Sequence, residues 1–205
     1  MIRENNRKIM RNILIIYAHP GPVSQHAYFL DKVKQLLDEE KSTDINYEVM
    51  DLYALNYEPR LKSSELHTAN NREIGTDTVQ FQTKIKESTS LLFIYPTWWQ
   101  NMPAILKGFL DKTFVSGFAY RYEGRLPVGL LKGKKAAAFT ATGQPRWFNF
   151  LIKRDRSLKV LLNDVLSFSG IKTKGFSLGD SRALTEERKI ALDKKAGKVV
   201  KYLLK

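Results

Sequence analysis

Three short stretches of the chain combine residue types that suit the binding of a phosphorylated planar molecule. In the first, AHPGPVSQHA at 18–27, Gly21 lies between two prolines and Ser24 stands where a helix can begin. The start of a helix presents unpaired N–H groups and the positive end of the helix dipole, and both favour phosphate. Ser24, His19 and His26 would add hydrogen-bond donors. The alternative is an ordinary turn with a capping serine, because the stretch matches neither GxxxxGK[ST] nor GxGxxG.

The second stretch, YPTWWQNMP at 95–103, brackets Trp98 and Trp99 with Pro96 and Pro103. Two adjacent indoles are costly to leave in water, so they need either a core or a flat partner. The prolines restrict the backbone, which would hold the N–H groups between them in fixed directions. Such a loop suits a planar ring with hydrogen-bonding edges. The alternative is that both tryptophans cap the core.

The third stretch, TATGQPRWF at 140–148, contains a glycine among polar residues. Gly143 allows a ligand to approach the backbone closely. Thr140, Thr142 and Gln144 add polar groups, and Trp147 adds an aromatic wall. An ordinary turn is again the alternative.

The apolar pattern that must position these stretches alternates between strand-like runs and helical stripes. Strands are predicted at 12–18, 47–52, 91–95, 135–141 and 174–178. Helices are predicted after Ser24, at 76–87 with Val79, Phe81 and Ile85 inward, at 103–114, at 158–168 and from Thr185 almost to Lys205. The polar stretch at 53–71 is predicted to be a loop.

This alternation predicts one α/β domain over residues 1–205, with a five-stranded, doubly wound parallel sheet and helices on both faces. In such sheets, ligands bind beyond the carboxyl ends of the strands, where the strand order reverses. The three stretches follow the first, third and fourth predicted strands. We therefore expect them to meet and form one pocket.

Composition excludes several classes of function. The 205 residues include no cysteine, which excludes disulfides, thiolate metal sites and a catalytic thiol. His19, His26 and His67 lack metal-ligand spacing, so no metal site is expected. The longest apolar run, at 13–18, is far shorter than the roughly 20 residues of a membrane span, and we expect a cytoplasmic protein. The net charge of +13 favours an anionic cofactor, whereas no motif indicates nucleic acid.

Four segments resemble the flavodoxin-like NAD(P)H:quinone oxidoreductases, the group that contains DT-diaphorase, the potassium-efflux ancillary reductases and the modulator-of-drug-activity proteins. The segments are ILIIYAHPGPVSQHA, DLYALNYEPRL, TATGQP and, most specifically, PTWWQNMPAILKGFLDKTFVSGFAY. The resemblance covers most of the chain. It implies a flavodoxin-like sheet with strand order 2-1-3-4-5.

The resemblance also implies a flavin at the point where the strand order reverses. Phosphate would be held by His19, Ser24, Gln25 and His26. The isoalloxazine would lie along Pro96, Thr97, Trp98, Trp99 and Met102, with its far side and polar edge at Ala141, Thr142, Gly143 and Gln144. The substrate side of the pocket would be formed by Tyr120, Tyr122 and Trp147, and in the family the tyrosines often reach the partner subunit's pocket. FMN is preferred to FAD, because the chain lacks the long carboxyl extension that holds the adenosine of FAD in some members.

The activity implied is two-electron hydride transfer from NAD(P)H through the flavin to a quinone, in a homodimer. No catalytic side chain is assigned, because Gln144 and Pro145 replace the family's second glycine and the proton-relay tyrosine and histidine of some members are not evident in RWFNFLIKRDRS. An azo- or nitro-compound reductase would use the same site with another acceptor. The alternative of a different class is a flavin-binding ancillary subunit, peripherally associated with a membrane transporter.

Overall fold

A five-stranded parallel sheet forms the centre of the protein. The structure, a computed structural model, describes residues 10–40, 44–66 and 73–205. The strands, in chain order, are β1 (Arg11–Tyr17), β2 (Ile45–Asp51), β3 (Ser90–Pro96), β4 (Tyr120–Glu123), β5 (Leu126–Gly129), β6 (Lys135–Ala141) and β7 (Lys172–Leu178). The main sheet has the order β2-β1-β3-β6-β7, with every neighbouring pair parallel, while β4 and β5 form a separate antiparallel hairpin. With the hairpin set aside, this is the predicted 2-1-3-4-5 order, and the predicted fold class is confirmed.

Helices cover both faces of the sheet. They are α1 (Gln25–Glu39), α2 (Thr76–Glu87), α3 (Ala104–Thr113), α4 (Arg146–Leu151), α5 (Arg156–Lys159) and α6 (Glu186–Leu203), with a 3₁₀ turn at Ser63–Glu65 and a π-helical segment at Val160–Ser167. None of the helices formed by the described residues is both long enough and apolar enough to cross a membrane.

The two faces of the sheet bury separate apolar clusters. On one face, Phe109 of α3 and Leu161 of the π-helical segment are fully buried. On the other face, Phe29 of α1 and Val199 of α6 are fully buried. All seven residues of β3 are buried, as the unbroken apolar run predicted for a strand covered on both sides.

Two predicted helix starts are confirmed by their caps. The Ser24 hydroxyl oxygen accepts a hydrogen bond of 3.0 Å from the Ala27 N–H at the start of α1. The Thr185 hydroxyl oxygen does the same for the Arg188 N–H at the start of α6, at 3.4 Å. These bonds satisfy N–H groups that have no partner within the helix.

The structure corrects several element predictions. Val79 is exposed, because the buried side of α2 is formed by Thr78, Phe81 and Ile85. The helix predicted at 158–168 begins at Arg156 and continues in the π-helical segment. The hairpin and α4 were not predicted, since four-residue strands and a six-residue helix carry too little periodicity. Part of the predicted loop at 53–71, including His67, lies outside the described residues.

Candidate functional site

A cleft of about 420 Å³ opens at the carboxyl end of the sheet. Its volume is within the usual range for small-molecule sites. The lining consists of His19, Val23, Ser24, Gln25, His26, Pro96, Thr97, Trp98, Ala141, Gly143, Ser181, Arg182, Ala183 and Leu184. The loops that follow β1, β3 and β6 therefore meet in one cleft, together with the loop that follows β7. Nine of the thirteen residues expected to bind the cofactor are in this lining.

The loop between β1 and α1 supplies the part of the cleft best suited to an anion. The Gly21 N–H donates a hydrogen bond of 3.0 Å to His19 Nδ1, and a Cβ at Gly21 would lie 3.3 Å from the His19 ring. Gly21 thus lets the loop fold tightly over His19. The first residues of α1, Gln25 and His26, line the cleft at the positive end of the helix dipole.

His26 connects this loop to β6. Its ring stacks on the His19 ring at 5.0 Å, and its Nε2 accepts a hydrogen bond of 3.2 Å from the Ala141 N–H. Because Nε2 accepts, the proton of the neutral ring is on Nδ1. Burial lowers the pKa of His26 to about 3, the neighbouring His19 lowers it further, and a backbone hydrogen bond to Tyr95 opposes this. The His26 side chain is therefore neutral near pH 7 and brings no positive charge to the phosphate that it was expected to hold.

Gln25 also makes a structural contact. Its side-chain Nε2 donates a hydrogen bond of 2.8 Å to the Ala183 carbonyl, which fastens α1 to the loop after β7. That loop was missed at the sequence level, although β7 ends at the same edge of the sheet as the other strands. Arg182, which is exposed, is the one arginine or lysine in the lining. An arginine that directly follows a strand of the same parallel sheet is the signal that would have identified it.

The loop between β3 and α3 holds the two adjacent tryptophans in a tight turn. The Trp98 N–H and the Asn101 carbonyl are 2.9 Å apart, and the reciprocal bond from the Asn101 N–H is also 2.9 Å. Trp99 and Gln100 have φ values of 50° and 61°, in the left-handed region. Two such residues between paired ends form a type I′ turn, which normally favours asparagine and glycine. Each non-glycine residue in this conformation costs roughly 1–2 kcal/mol.

The indoles do not cap the core, so that alternative is wrong. Trp98 is 44% exposed and lines the cleft, whereas Trp99 is 101% exposed and lies outside the lining. Strained backbone that carries an exposed aromatic ring is typical of a binding site rather than of a packing site.

Hydrogen bonds tie this turn to the loop after β6. The Thr97 N–H donates 3.0 Å to the Ala141 carbonyl, and the hydroxyl oxygens of Thr97 and Thr140 are 2.8 Å apart. The Gln100 side-chain Nε2 donates 2.8 Å to the Gln144 side-chain oxygen. The two loops therefore form a single rigid wall of the cleft.

Gly143 leaves open space in the cleft. A Cβ added at Gly143 would meet no protein atom within 4 Å, and the φ of this residue is outside the left-handed region. Neither the backbone nor the packing requires glycine here. A side chain would instead occupy cleft volume, so the glycine is explained by a ligand that lies against it.

The remaining residues expected at the site lie elsewhere. Trp99, Met102, Thr142 and Gln144 do not line the cleft, and the side chain of Met102 is buried in the core. The three expected substrate residues, Tyr120, Tyr122 and Trp147, are also outside it. Tyr120 packs edge-on against Phe168, and Tyr122 and Trp147 are exposed. In a single copy of the chain, the substrate side of the cleft lacks these aromatic residues.

No group of three or more histidine or acidic side chains that could hold a metal ion occurs in the part of the chain that the structure describes. The chemistry of the cleft must instead come from a ligand bound between a helix start, an arginine, an indole and an open glycine. These features fit a phosphorylated ring compound.

The model of the family described as flavodoxin-like fold matches residues 11–203. An uncharacterized NAD(P)H oxidoreductase of Haemophilus influenzae is 34% identical over 186 residues, which are 88% of this chain and 90% of that protein. The human ribosyldihydronicotinamide dehydrogenase [quinone] is 32% identical over 151 residues, which are 65% of this chain and 64% of that enzyme. Among solved structures, an NAD(P)H:quinone oxidoreductase from Methanothermobacter marburgensis aligns with a TM-score of 0.77 and 26% identity, over 95% of this chain and 98% of that one. The chain therefore belongs to the family of proteins with the flavodoxin-like fold.

Proposed function

We propose that this protein is a flavin-dependent NAD(P)H:quinone oxidoreductase that holds FMN in the cleft at the carboxyl end of the sheet and acts in the cytoplasm. The observation that carries the proposal is the open space at Gly143, opposite the start of α1 and beside Trp98. A flat ring fits against a backbone that has no Cβ, and a phosphate fits at a helix start. The relatives named as NAD(P)H oxidoreductases support the same conclusion.

The described residues assign each part of FMN to a side of the cleft. The phosphate is held by Ser24 and the first N–H groups of α1, with the Arg182 guanidinium as the counter-charge. The isoalloxazine is held between Gly143 and the turn that carries Trp98. When bound, the flavin supplies the hydride-transfer chemistry between a nicotinamide and a quinone.

The protein contributes binding and orientation. The strained turn and its bonds to the β6 loop keep that wall of the cleft in one position, which lowers the entropy cost of aligning two flat molecules. His26 is buried and neutral, and it is bonded to β6, so it moves no proton in the reaction. No side chain that lines the cleft is assigned as a general acid or base.

A homodimer completes the site in this proposal. Trp147, Phe150, Leu151 and Ile152 are each between 57% and 62% exposed in a single copy. So many large apolar side chains within six residues are costly in water and typical of an interface. A second copy that covers them would also bring the Tyr120 and Tyr122 hairpin to its partner's cleft. Sedimentation analysis tests this, because a glutamate at Leu151 should convert the dimer to a monomer.

The central experiment is the visible spectrum of the purified protein. We expect a yellow protein that releases FMN on heating and oxidises NADH or NADPH when menadione is the acceptor. A colourless protein that takes up no added FMN and consumes no NAD(P)H would disprove the proposal.

Two alternatives share part of this prediction. An azo- or nitro-compound reductase would show the same spectrum and prefer those acceptors to menadione at equal concentration. An ancillary subunit of a membrane transporter would co-purify with an integral membrane protein, and a variant without reductase activity would co-purify equally well.

A further inference from the structure

A second cleft, of about 520 Å³, lies along the outer edge of β7. It is bounded by β7 itself, by one side of α6 and by the region of α4 and α5. We call it the basic groove, after its six cationic residues: Arg146, Lys174, Lys195, Lys198, Lys201 and Lys205. It is separate from the cleft that would hold the flavin, since the two linings share no residue.

The positive charge of the basic groove is largely uncompensated. Its one carboxylate, Asp155, accepts two hydrogen bonds of 3.0 Å from the Arg146 guanidinium and is thereby paired. The five lysines make no ion pair with the other residues that the structure describes. Burial lowers the pKa of Lys195, and the charges of Arg146 and Lys198 lower it further. An anionic partner would relieve this repulsion.

The lysines of α6 form a line rather than a ring. Lys195, Lys198, Lys201 and Lys205 are spaced by three, three and four residues, which places them on one side of the helix. Ten residues of helix correspond to about 15 Å. A line of charge of that length matches an extended anionic ligand better than a compact ion.

The backbone of β7 offers unpaired hydrogen-bonding groups to the same groove. The Lys172 N–H donates to the Lys134 carbonyl, and the Leu178 carbonyl accepts from the Thr142 N–H, each at 3.0 Å. Backbone groups of successive strand residues point alternately to the two sides, so the even-numbered residues face β6 and the odd-numbered residues face outward. Gly175 and Ser177 line the groove with outward N–H and carbonyl groups, and no strand of the described chain pairs with them there.

We propose that the basic groove binds an extended acidic peptide segment of a partner protein, which adds to the sheet as a sixth strand beside β7. The peptide backbone would exchange hydrogen bonds with Gly175 and Ser177, as in other cases of strand addition. Every second side chain of the peptide faces α6, and acidic residues at those positions meet Lys195, Lys198 and Lys201.

Protection of the sheet edge and binding of a condensed phosphate each account for less of the structure. Lysines protect exposed sheet edges from aggregation, which explains Lys174 on the strand but not four lysines aligned on a neighbouring helix. A condensed phosphate would satisfy the lysines, but its oxygens would face the outward carbonyls of Gly175 and Ser177 without a donor to offer them. A peptide strand supplies both donors and acceptors.

Fluorescence anisotropy with a synthetic peptide tests the charge recognition. The probe is a labelled strand of about eight residues in which glutamate alternates with threonine, because about five residues span 15 Å at 3.3 Å each. At about 50 mM salt, where screening is weak, we expect saturable binding that the double change Lys198→Glu and Lys201→Glu weakens at least tenfold. The matched control is Lys194→Glu, since Lys194 is exposed on the same helix but does not line the groove. Circular dichroism of each variant confirms folding.

A modified probe tests the strand pairing. The same peptide with N-methyl groups at alternate residues keeps every charge but loses the donors that pair with β7, and we expect at least fivefold weaker binding. Equal binding by the methylated peptide, equal binding by inorganic triphosphate, or no binding of the unmodified peptide would each overturn the proposal. The result does not depend on flavin, so it is independent of the proposed reductase activity.

Discussion

The side chain of Gln100 donates a hydrogen bond of 2.8 Å to the side-chain oxygen of Gln144. This contact joins two loops that are more than forty residues apart in the chain. Gln100 is also one of the two left-handed residues of the turn that presents Trp98 to the cleft. The bond therefore helps to hold a strained turn in place from outside the cleft.

Gln144→Ala should weaken FMN binding although Gln144 does not line the cleft. A hydrogen bond of this type contributes about 1 kcal/mol net, so the dissociation constant should rise roughly fivefold. Quenching of FMN fluorescence on binding measures this. The matched control is Gln35→Ala, which removes the 2.7 Å bond from Gln35 to Glu39 on α1 and should leave FMN affinity unchanged. An unaltered dissociation constant for Gln144→Ala would show that the contact does not support the site.

Gly143→Val should abolish flavin binding while the protein remains folded. The new side chain meets no protein atom within 4 Å of its Cβ, so the cost falls on the ligand rather than on the fold. We expect a colourless protein with a near-normal thermal midpoint. Gly197→Val on α6 is the control, because a Cβ there also meets open space but lies outside the cleft. Equal FMN content in wild type and Gly143→Val would disprove the role given to Gly143.

His26 should make the protein less stable as the pH falls below neutrality. Its folded pKa of about 3 lies below the ordinary value of 6.5, so between these values only the unfolded state binds the proton. Stability is then lost as the pH drops through this range, by at most about 1.4 kcal/mol per pH unit, and is independent of His26 above it.

His26→Gln removes this titration while the amide oxygen can still accept from the Ala141 N–H. Guanidinium unfolding at pH 7.5 and pH 5.5 should show a smaller loss for the variant than for wild type, by roughly 1 kcal/mol. Parallel pH dependence of the two proteins would contradict a neutral, buried His26.

The sequence was sufficient for the sheet, its strand order and the convergence of three loops, because these follow from apolar periodicity and from the handedness of parallel connections. It was insufficient where a residue's role depends on a distant partner. His26 looked like a phosphate donor until Ala141 was found to donate to it. Arg182 was missed because nothing local distinguishes it from other surface arginines. The positive φ of Trp99 contradicts its local preference and is imposed by the paired ends of the turn.

Glu65→Gln should destabilise the protein by about 3 kcal/mol, because it leaves the Lys112 ammonium buried without its counter-charge. The two groups are 3.1 Å apart, with side chains that are only 11% and 5% exposed. Burial alone would raise the pKa of Glu65, but the hydrogen bonds from Lys62 and Lys112 lower it. The contribution of the pair is therefore complete above the ordinary glutamate pKa and declines as the pH falls below it.

Urea unfolding at pH 7 measures this effect. Asp111→Asn is the control, since the Lys107–Asp111 pair is exposed and its loss should cost less than about 1 kcal/mol. Adding Lys112→Met to Glu65→Gln should recover much of the loss. If the single variant is as stable as wild type, the pair is not a structural element.

Trp99→Gly should stabilise the protein and impair the enzyme. Glycine adopts a φ of 50° without strain, and the indole that is removed packs on nothing in a single copy. Relief of roughly 1–2 kcal/mol of strain, less the greater entropy of unfolded glycine, should leave a net gain of about 0.5 kcal/mol. Because Trp99 does not line the cleft, FMN affinity should be unchanged. If the exposed indole serves the acceptor side of the proposed site, kcat/KM for menadione should fall at least fivefold, about 1 kcal/mol. Trp99→Tyr, which keeps both the strain and an aromatic ring, should retain the activity without the gain in stability. A glycine variant that gains stability at full activity would separate the strained turn from catalysis.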